Sequence, residues 1–188
     1  MRPYRLHHAA AFKLRGLLMV PPIAMLLLWY RWEWECDPGV WTTGLLLFAG
    51  GVLVRVWAQK HLKYRLRAGG ALATTGPYAW TRNPVYLGNL LILASLCVLC
   101  ELPWVIPPVC GWAALVYGHA VRFEEYRLMK RHGSEYLAYQ QRVSRWWPRI
   151  PAAGHALAAR VSGWGQAATV EWQCLVLLLI PAIKETID

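Results

Sequence analysis

Val85-Tyr86-Leu87-Gly88-Asn89-Leu90-Leu91-Ile92-Leu93-Ala94-Ser95-Leu96-Cys97-Val98-Leu99 is apolar almost throughout. A short break at Glu101-Leu102-Pro103 follows, and then a second apolar run over Trp104–Val121. Two apolar runs joined by so short a polar link read as an antiparallel helical hairpin that crosses a membrane twice. Working outward, three more apolar stretches appear: Gly16–Trp29, Val40–Trp57 and Ala167–Ile183, the last carrying Glu171. Each of the five can cross roughly 30 Å of hydrocarbon at about 1.5 Å per residue, Gly16–Trp29 and Val85–Leu99 with help from their flanks or a thin bilayer. The expected fold is therefore all-α, a polytopic transmembrane bundle of about five spans.

Composition agrees. Of 188 residues, 57% are hydrophobic and 16% charged, and the 12 tryptophans suit membrane–water interfaces. The net charge of +10 does not indicate nucleic acid, because the basic residues sit in the links between apolar stretches. They cluster at Arg2, Arg5, Lys13 and Arg15; at Arg55, Lys60, Lys63, Arg65, Arg67 and Arg82; and at Arg122, Arg127, Lys130, Arg131, Arg142, Arg145, Arg149 and Arg160. The opposite links carry Glu33, Glu35, Asp37 and Glu101, with Arg31 the one basic residue among them. The positive-inside rule places the amino terminus and both long links in the cytoplasm, and the carboxyl terminus outside if the fifth stretch spans. Arg55, at the cytoplasmic edge of its span, is expected to snorkel to the surface, with lining a pocket the other reading. The Trp146-Trp147 pair is expected to anchor the chain at the interface.

Other chemistry is thin. Cys97, Cys100, Cys110 and Cys174 lie in apolar runs and read as small helix fillers, although Cys97 and Cys100 form a C-x-x-C. His61, His119 and His132 lack ligand spacing, so no metal site is expected. No G-x-G-x-x-G follows a strand and there is no P-loop. The first apolar run contains Pro21-Pro22 and ends in aromatics, unlike a cleaved signal peptide. The chain reads as one membrane domain over 1–188: amino-terminal spans at 1–68, a polar and aromatic region around the hairpin at 69–150, and an apolar tail at 151–188.

The two links flanking the hairpin must lie close together, since the hairpin returns the chain to the same side. The first, Gly69-Gly70-Ala71-Leu72-Ala73-Thr74-Thr75-Gly76-Pro77-Tyr78-Ala79-Trp80-Thr81-Arg82-Asn83-Pro84, has glycines for close backbone approach. Asn83 suits the N-cap and Pro84 the first position of the following helix. That helix N-terminus beside Arg82 favours an anion, such as the carboxylate of a small cofactor. The second link, from Arg122-Phe123-Glu124-Glu125-Tyr126 onward, reads as a helix leaving the fourth span and ending near Gly133. Arg122, Glu125 and Tyr126 share a face at spacings of three and four. Adjacent carboxylates at the end of a span need partners, and ribose hydroxyls are one possibility; a solvated charged helix is the other.

At these residues the sequence resembles the isoprenylcysteine carboxyl methyltransferase family and its relatives the phospholipid N-methyltransferases. The resemblance is carried by Thr74-Thr75-Gly76-Pro77-Tyr78-Ala79-Trp80 with Arg82-Asn83-Pro84-Val85-Tyr86. It continues after the hairpin in Glu124-Glu125 and in Gly133-Ser134-Glu135-Tyr136-Leu137-Ala138-Tyr139-Gln140-Gln141-Arg142-Val143. It covers about 69–148. It implies S-adenosylmethionine as methyl donor, held in a cytoplasmic pocket around the hairpin and capped by the segment after it. By that resemblance, Gly70, Ala71, Leu72, Ala73 and Tyr78 contact the cofactor, and Asn83, Pro84, Val85 and Tyr86 hold its amino-acid and thioether end. Glu124, with Glu125, holds a polar end, and Arg122 faces the acceptor, a hydrophobic or lipid-like carboxylate, thiol or amine. The catalytic pair would be Arg122 and Asn83. Asn83 stands where the carboxyl methyltransferases usually carry His, and Asn cannot act as a base near neutral pH. Methyl transfer mainly needs proximity and water exclusion. Two other readings are an NADPH-dependent membrane reductase of the sterol-reductase type, which shares an Arg-x-Pro-x-Tyr turn, and a non-catalytic membrane scaffold.

Overall fold

The computed structural model describes residues 3–29, 37–67, 70–149 and 172–187. Every regular element among them is helical. In chain order these are α1 (Pro3–Leu14), a 3-10 turn at Leu17–Met19, α2 (Val20–Leu28), α3 (Asp37–Arg67), α4 (Pro77–Trp80) and α5 (Pro84–Leu99). A 3-10 turn at Pro103–Val105 then leads into α6 (Ile106–His132), α7 (Ser134–Arg142), α8 (Trp172–Val176) and α9 (Leu179–Ile187). Gly69, the acidic link at 30–36 and the start of the fifth apolar stretch at 167–171 lie outside the described residues.

The hairpin forms as the sequence demands. After Leu99, Glu101 takes a left-handed conformation (φ 58°). Its N–H then reaches the carbonyl of Val98 (2.8 Å), while the N–H of Leu102 reaches back to Cys97 (2.8 Å). This is the Schellman stop, which satisfies carbonyls at the helix end, and the fully buried Leu102 plugs it against the core. Pro103 then starts the return.

α3 lies against α5 at very short range because glycines face each other. A Cβ on Gly51 would fall 2.9 Å from the Gly88 carbonyl oxygen, and one on Gly88 would fall 2.8 Å from that of Gly51. About two turns earlier on α3, Gly44 leaves room for the Leu99 side chain. Small residues at a helix crossing let backbones approach and dispersion accumulate, which is how helices associate where water gives no driving force. The same glycine corrects the reading of Arg55. With no side chain on Gly88, the Arg55 stem fits across it and Nη1 donates to Asn89 Oδ1 on α5 instead of snorkelling. Asn89 in turn bonds Tyr117 of α6, so a polar chain crosses three helices.

The apolar core joins Phe48 of α3, Ile92, Leu93 and Leu96 of α5, Val109, Ala113, Val116 and Val121 of α6, and Ile180 of α9. Cys97 and Cys100 are buried within it. α1, which the sequence reading left as a basic terminus, packs along α6. Phe12 meets Phe123 at 5.4 Å between ring centroids, and Arg15 lies over the Phe12 ring at 4.2 Å. Among the described residues, two helices are long and apolar enough to cross a membrane, within Pro38–Leu62 and Pro103–His132. Three shorter apolar helices correspond to the other stretches, Leu17–Leu26, Pro84–Leu99 and Cys174–Ile183. The last is broken where Pro181 has no N–H to offer Leu177, so helix resumes only at Leu179. Leu46, Leu53 and Leu115 point outward, each more than three-fifths exposed, an apolar exterior suited to lipid. The molecule is a membrane protein.

Candidate functional site

Residues 70–84 form a compact turn before α5. Gly76 sits at φ 61°, ψ −131°, a conformation that excludes ordinary residues, and it leads into the single turn α4 with Pro77 first. The absent side chain is also needed for space: a Cβ there would lie 2.2 Å from Nε2 of the buried His61, whose Nδ1 is 3.0 Å from the Trp57 carbonyl. This stacks the turn on the end of α3. The chain then extends through Thr81 and re-enters helix at Pro84. Asn83 occupies the N-cap position but makes no capping bond.

The second link closes over the first. α6 runs past the apolar core and stops at Gly133, whose φ of 51° ends the helix as expected and whose N–H bonds the Met129 carbonyl (2.9 Å). α7 then turns back, and Tyr136 and Tyr139 pack on Leu72 in a small apolar cluster of their own. The Tyr139 hydroxyl donates to the Tyr78 carbonyl (2.8 Å). Beyond α7, a strap over 143–149 pairs with the turn. Arg82 N–H donates to the Ser144 carbonyl (2.9 Å) and Arg149 N–H to the Trp80 carbonyl (3.0 Å). The side chains of Thr81 and Asn83 both donate to the Arg145 carbonyl, each at 3.1 Å.

At the junction lies Glu125, 7% exposed. Arg145 grips it with two bonds, Nε to Oε1 (3.1 Å) and Nη2 to Oε2 (2.6 Å), and Arg82 Nη1 lies 3.0 Å from Oε1. A buried carboxylate is tolerable only with such partners. Its neighbour Glu124 accepts from the Tyr86 hydroxyl (2.9 Å), and the Tyr86 ring meets that of Tyr117 at a tilt of 47° with centroids 4.9 Å apart. Arg15 is near enough for its charge to act on Glu124.

The structure thus brings together Leu72, Tyr78, Asn83, Pro84, Tyr86, Glu124 and Glu125 around one turn. Pro84 begins α5 and is buried; Val85 beside it is half-buried. Gly70, at φ 75°, lies under the Arg131 guanidinium, while Ala71 is exposed and Ala73 half-buried. Arg122 is exposed on α6, and Glu125 takes Arg82 and Arg145 as partners in its place. Arg82 is thereby held by a carboxylate of the chain itself. The sequence gives no site role to His61, Thr81 or Arg145, and Tyr136 and Tyr139 enter it only among the residues that carry the family resemblance. Tyr136 and Tyr139 had a signal, a spacing of three on an otherwise polar helix. Arg145 had none, standing twenty residues from Glu125 with no periodic relation.

Burial, with the nearby Glu124 carboxylate, pushes the Tyr78 hydroxyl above its ordinary range. Burial also raises Tyr139, and raises Tyr136 to about 12. All three remain neutral donors over any physiological pH. Trp80 Nε1 and Arg82 Nε are buried without a hydrogen-bond partner among the described residues. Orphaned donors cost roughly 1–3 kcal/mol each; both atoms are closed to solvent, so a ligand acceptor would meet them only with a shift of the turn. With Glu124 as an acceptor of further hydrogen bonds, the turn offers donors for a carboxylate and an acceptor for hydroxyls, which suits a zwitterionic nucleoside such as the one the sequence reading expects. Among the described residues no three His, Cys, Asp or Glu side chains converge on a possible metal position.

Residues 40–135 match the family model described as phospholipid methyltransferase. Two curated relatives are similar. The cobalt-zinc-cadmium resistance protein CzcN of Cupriavidus metallidurans is 30% identical over 126 residues, 64% of this chain and 55% of that protein. The nickel-cobalt-cadmium resistance protein NccN of Alcaligenes xylosoxydans xylosoxydans is 26% identical over 138 residues, 72% of this chain and 63% of that protein. The chain spans less than two thirds of the length of either. No solved structure matches it. The matched family region includes the turn at 70–84, both hairpin helices and the Glu124-Glu125 pair, and stops short of Tyr136, Tyr139 and the strap.

Proposed function

The chain belongs to the phospholipid methyltransferase family, and from that premise we propose that it transfers a methyl group from S-adenosylmethionine to a hydrophobic or lipid-like acceptor at the cytoplasmic face of the membrane. The observation that carries this reading is the closure of two distant links on one turn. Tyr86 bonds Glu124 and Arg82 holds Glu125 within the region the family shares, and Arg145 closes on Glu125 from beyond it. A scaffold would have no need for orphaned buried donors beside a carboxylate. The basic links support the cytoplasmic side, and the five apolar stretches support a multi-pass arrangement.

Bound at the turn, S-adenosylmethionine supplies an electrophilic methyl on a sulfonium. Trp80 Nε1 and Arg82 Nε are the donors for its carboxylate, Asn83 faces the amino-acid end, and Glu124 accepts from the ribose end. Gly70, Ala71, Leu72, Ala73, Tyr78, Pro84, Val85 and Tyr86 form the walls, and α7 with the strap excludes water. Glu125 acts by holding Arg82 and Arg145 in place. Arg122, exposed on α6, is left to meet the acceptor's polar group. Since Asn83 is no base, the chain's residues favour an acceptor that is nucleophilic without help, a carboxylate or thiolate, over an amine that must first lose a proton. An acceptor dissolved in the bilayer reaches α6 from the apolar exterior.

Calorimetric titration of the detergent-purified protein tests this. S-adenosylhomocysteine should bind saturably, Glu124→Ala should weaken it at least tenfold, and NADPH should not bind. NADPH binding alone would replace the reading with the reductase, and binding of neither by folded protein would replace it with the scaffold. The metal-resistance names of the two relatives suggest a growth assay: loss of this protein should raise sensitivity to cobalt, zinc or cadmium, with rescue by the wild type and not by Glu124→Ala.

A further inference from the structure

Arg145 meets the site through two separate sets of atoms. Its guanidinium holds Glu125 by two bonds at 3.1 and 2.6 Å. Its backbone carbonyl accepts from Asn83 Nδ2 and Thr81 Oγ1, both at 3.1 Å. The residue before it accepts from Arg82 N–H, and Arg149 a little further on donates to Trp80. Arg145 therefore ties the end of α6 to the start of α5 from outside the hairpin, and it lies beyond the family match, which ends at residue 135.

The chemistry of the Asn83 contact fixes how that amide faces. A carbonyl only accepts, so the amide nitrogen must point at Arg145, and Oδ1 must present on the other side. Asn83 is 8% exposed, so little solvent competes to turn it. We propose that Arg145 is a positioning residue for the methyl-donor site, holding Asn83 with its amide oxygen turned to the ligand's amino-acid end. This rests on the methyltransferase reading above. An amide oxygen accepts from N–H groups, and at the amino-acid end of the donor that group is its ammonium. Glu125 keeps the Arg145 guanidinium, and hence its carbonyl, at the right depth. A lysine at 145 offers one point charge in place of a planar fork and holds the carbonyl less well.

The test uses binding by the full-length protein in detergent, with two probes. S-adenosylhomocysteine carries the ammonium, and 5′-methylthioadenosine lacks the whole amino-acid end. Arg145→Ala should weaken S-adenosylhomocysteine at least tenfold and change 5′-methylthioadenosine less than threefold. Arg145→Lys should fall between wild type and alanine, and added methylguanidinium should restore part of the alanine variant's affinity. Asn83→Asp, which has no N–H for the Arg145 carbonyl, should lose affinity similarly, with little further loss when Arg145→Ala is added. Thermal unfolding of each variant reports whether it is folded. Equal loss of both probes without guanidinium rescue would mean a merely structural residue and overturn the proposal. So would S-adenosylhomocysteine binding within twofold of wild type in Arg145→Ala. Failure of the wild type to bind S-adenosylhomocysteine at all would overturn the methyltransferase reading and this proposal with it.

Discussion

Replacing Glu125 by alanine removes one buried carboxylate and three charge-assisted contacts at once, the pair from Arg145 and the one from Arg82. The two arginines do not lose equally. The Arg145 side chain is 38% exposed and can turn to water, so its share is discounted. The Arg82 side chain is 12% exposed, and its Nε already lacks a partner. Leaving that guanidinium without its carboxylate is the dominant cost, and breaking a buried ion pair from one side typically costs about 3–5 kcal/mol. The lower end applies here, because Tyr136 still contacts Arg82. At ~2–4 °C per kcal/mol for a chain of this size, the thermal midpoint should fall by about 6–12 °C. Tryptophan fluorescence during heating in detergent reads this directly, since Trp80, Trp146 and Trp147 border the turn. Adding Arg82→Met to Glu125→Ala should recover a large part of the loss, because an apolar replacement of the whole pair is nearly neutral. A midpoint for Glu125→Ala within 1 °C of wild type would refute the clamp, as would a double variant less stable than the single.

Three further outcomes follow from the same geometry. Gly76→Ala should cost roughly 3 kcal/mol or more, part from backbone strain at φ 61° and part from collision with His61; adding His61→Ala should recover only the collision part in a denaturant titration. Tyr139→Phe deletes the bond to the Tyr78 carbonyl and leaves that acceptor buried, at about 1–3 kcal/mol, and should raise proteolytic cleavage between α7 and the strap. Alkaline pH should loosen α7. Tyr136 holds its proton to about 12 when folded, against 10.0 ordinarily, so its contribution is intact below pH 10 and is lost as pH climbs from 10 to 12. That amounts to up to ~1.4 kcal/mol per pH unit. Tyr136→Phe should make the fall of the thermal midpoint between pH 9 and 11 less steep, Tyr78 and Tyr139 keeping the remainder, and an unchanged slope would contradict the burial of that hydroxyl.

Much of the architecture was legible because it rests on local physics. The hairpin at 84–132 follows from two apolar runs and one polar link. Its helices begin at Pro84, which needs no N–H partner, and end at Gly133, which alone tolerates the stopping conformation. The outer stretches were less legible. α1 is too mixed in composition to announce itself and is helical because Phe12 finds Phe123. The tail breaks at Leu177-Leu178, one turn before Pro181, whose effect depends on which carbonyl would have needed its N–H.

The candidate site divides along the same line. Residue types and order in the sequence alone determined that aromatic and charged groups flank a helical hairpin and that Glu124-Glu125 needs partners, since hydrophobic length and chain reversal bring those links to one side whatever the details. Only the tertiary structure decided who those partners are. Arg122 shares a helix face with Glu125, yet Arg145 and Arg82 hold it, because the strap closes from outside the helix and a bidentate fork at short range outcompetes an exposed neighbour. Arg55 likewise found Asn89 because Gly88 left room for it. Ion pairs and amide orientations carry no sequence period; they are settled by which surfaces pack, and that depends on the whole chain at once.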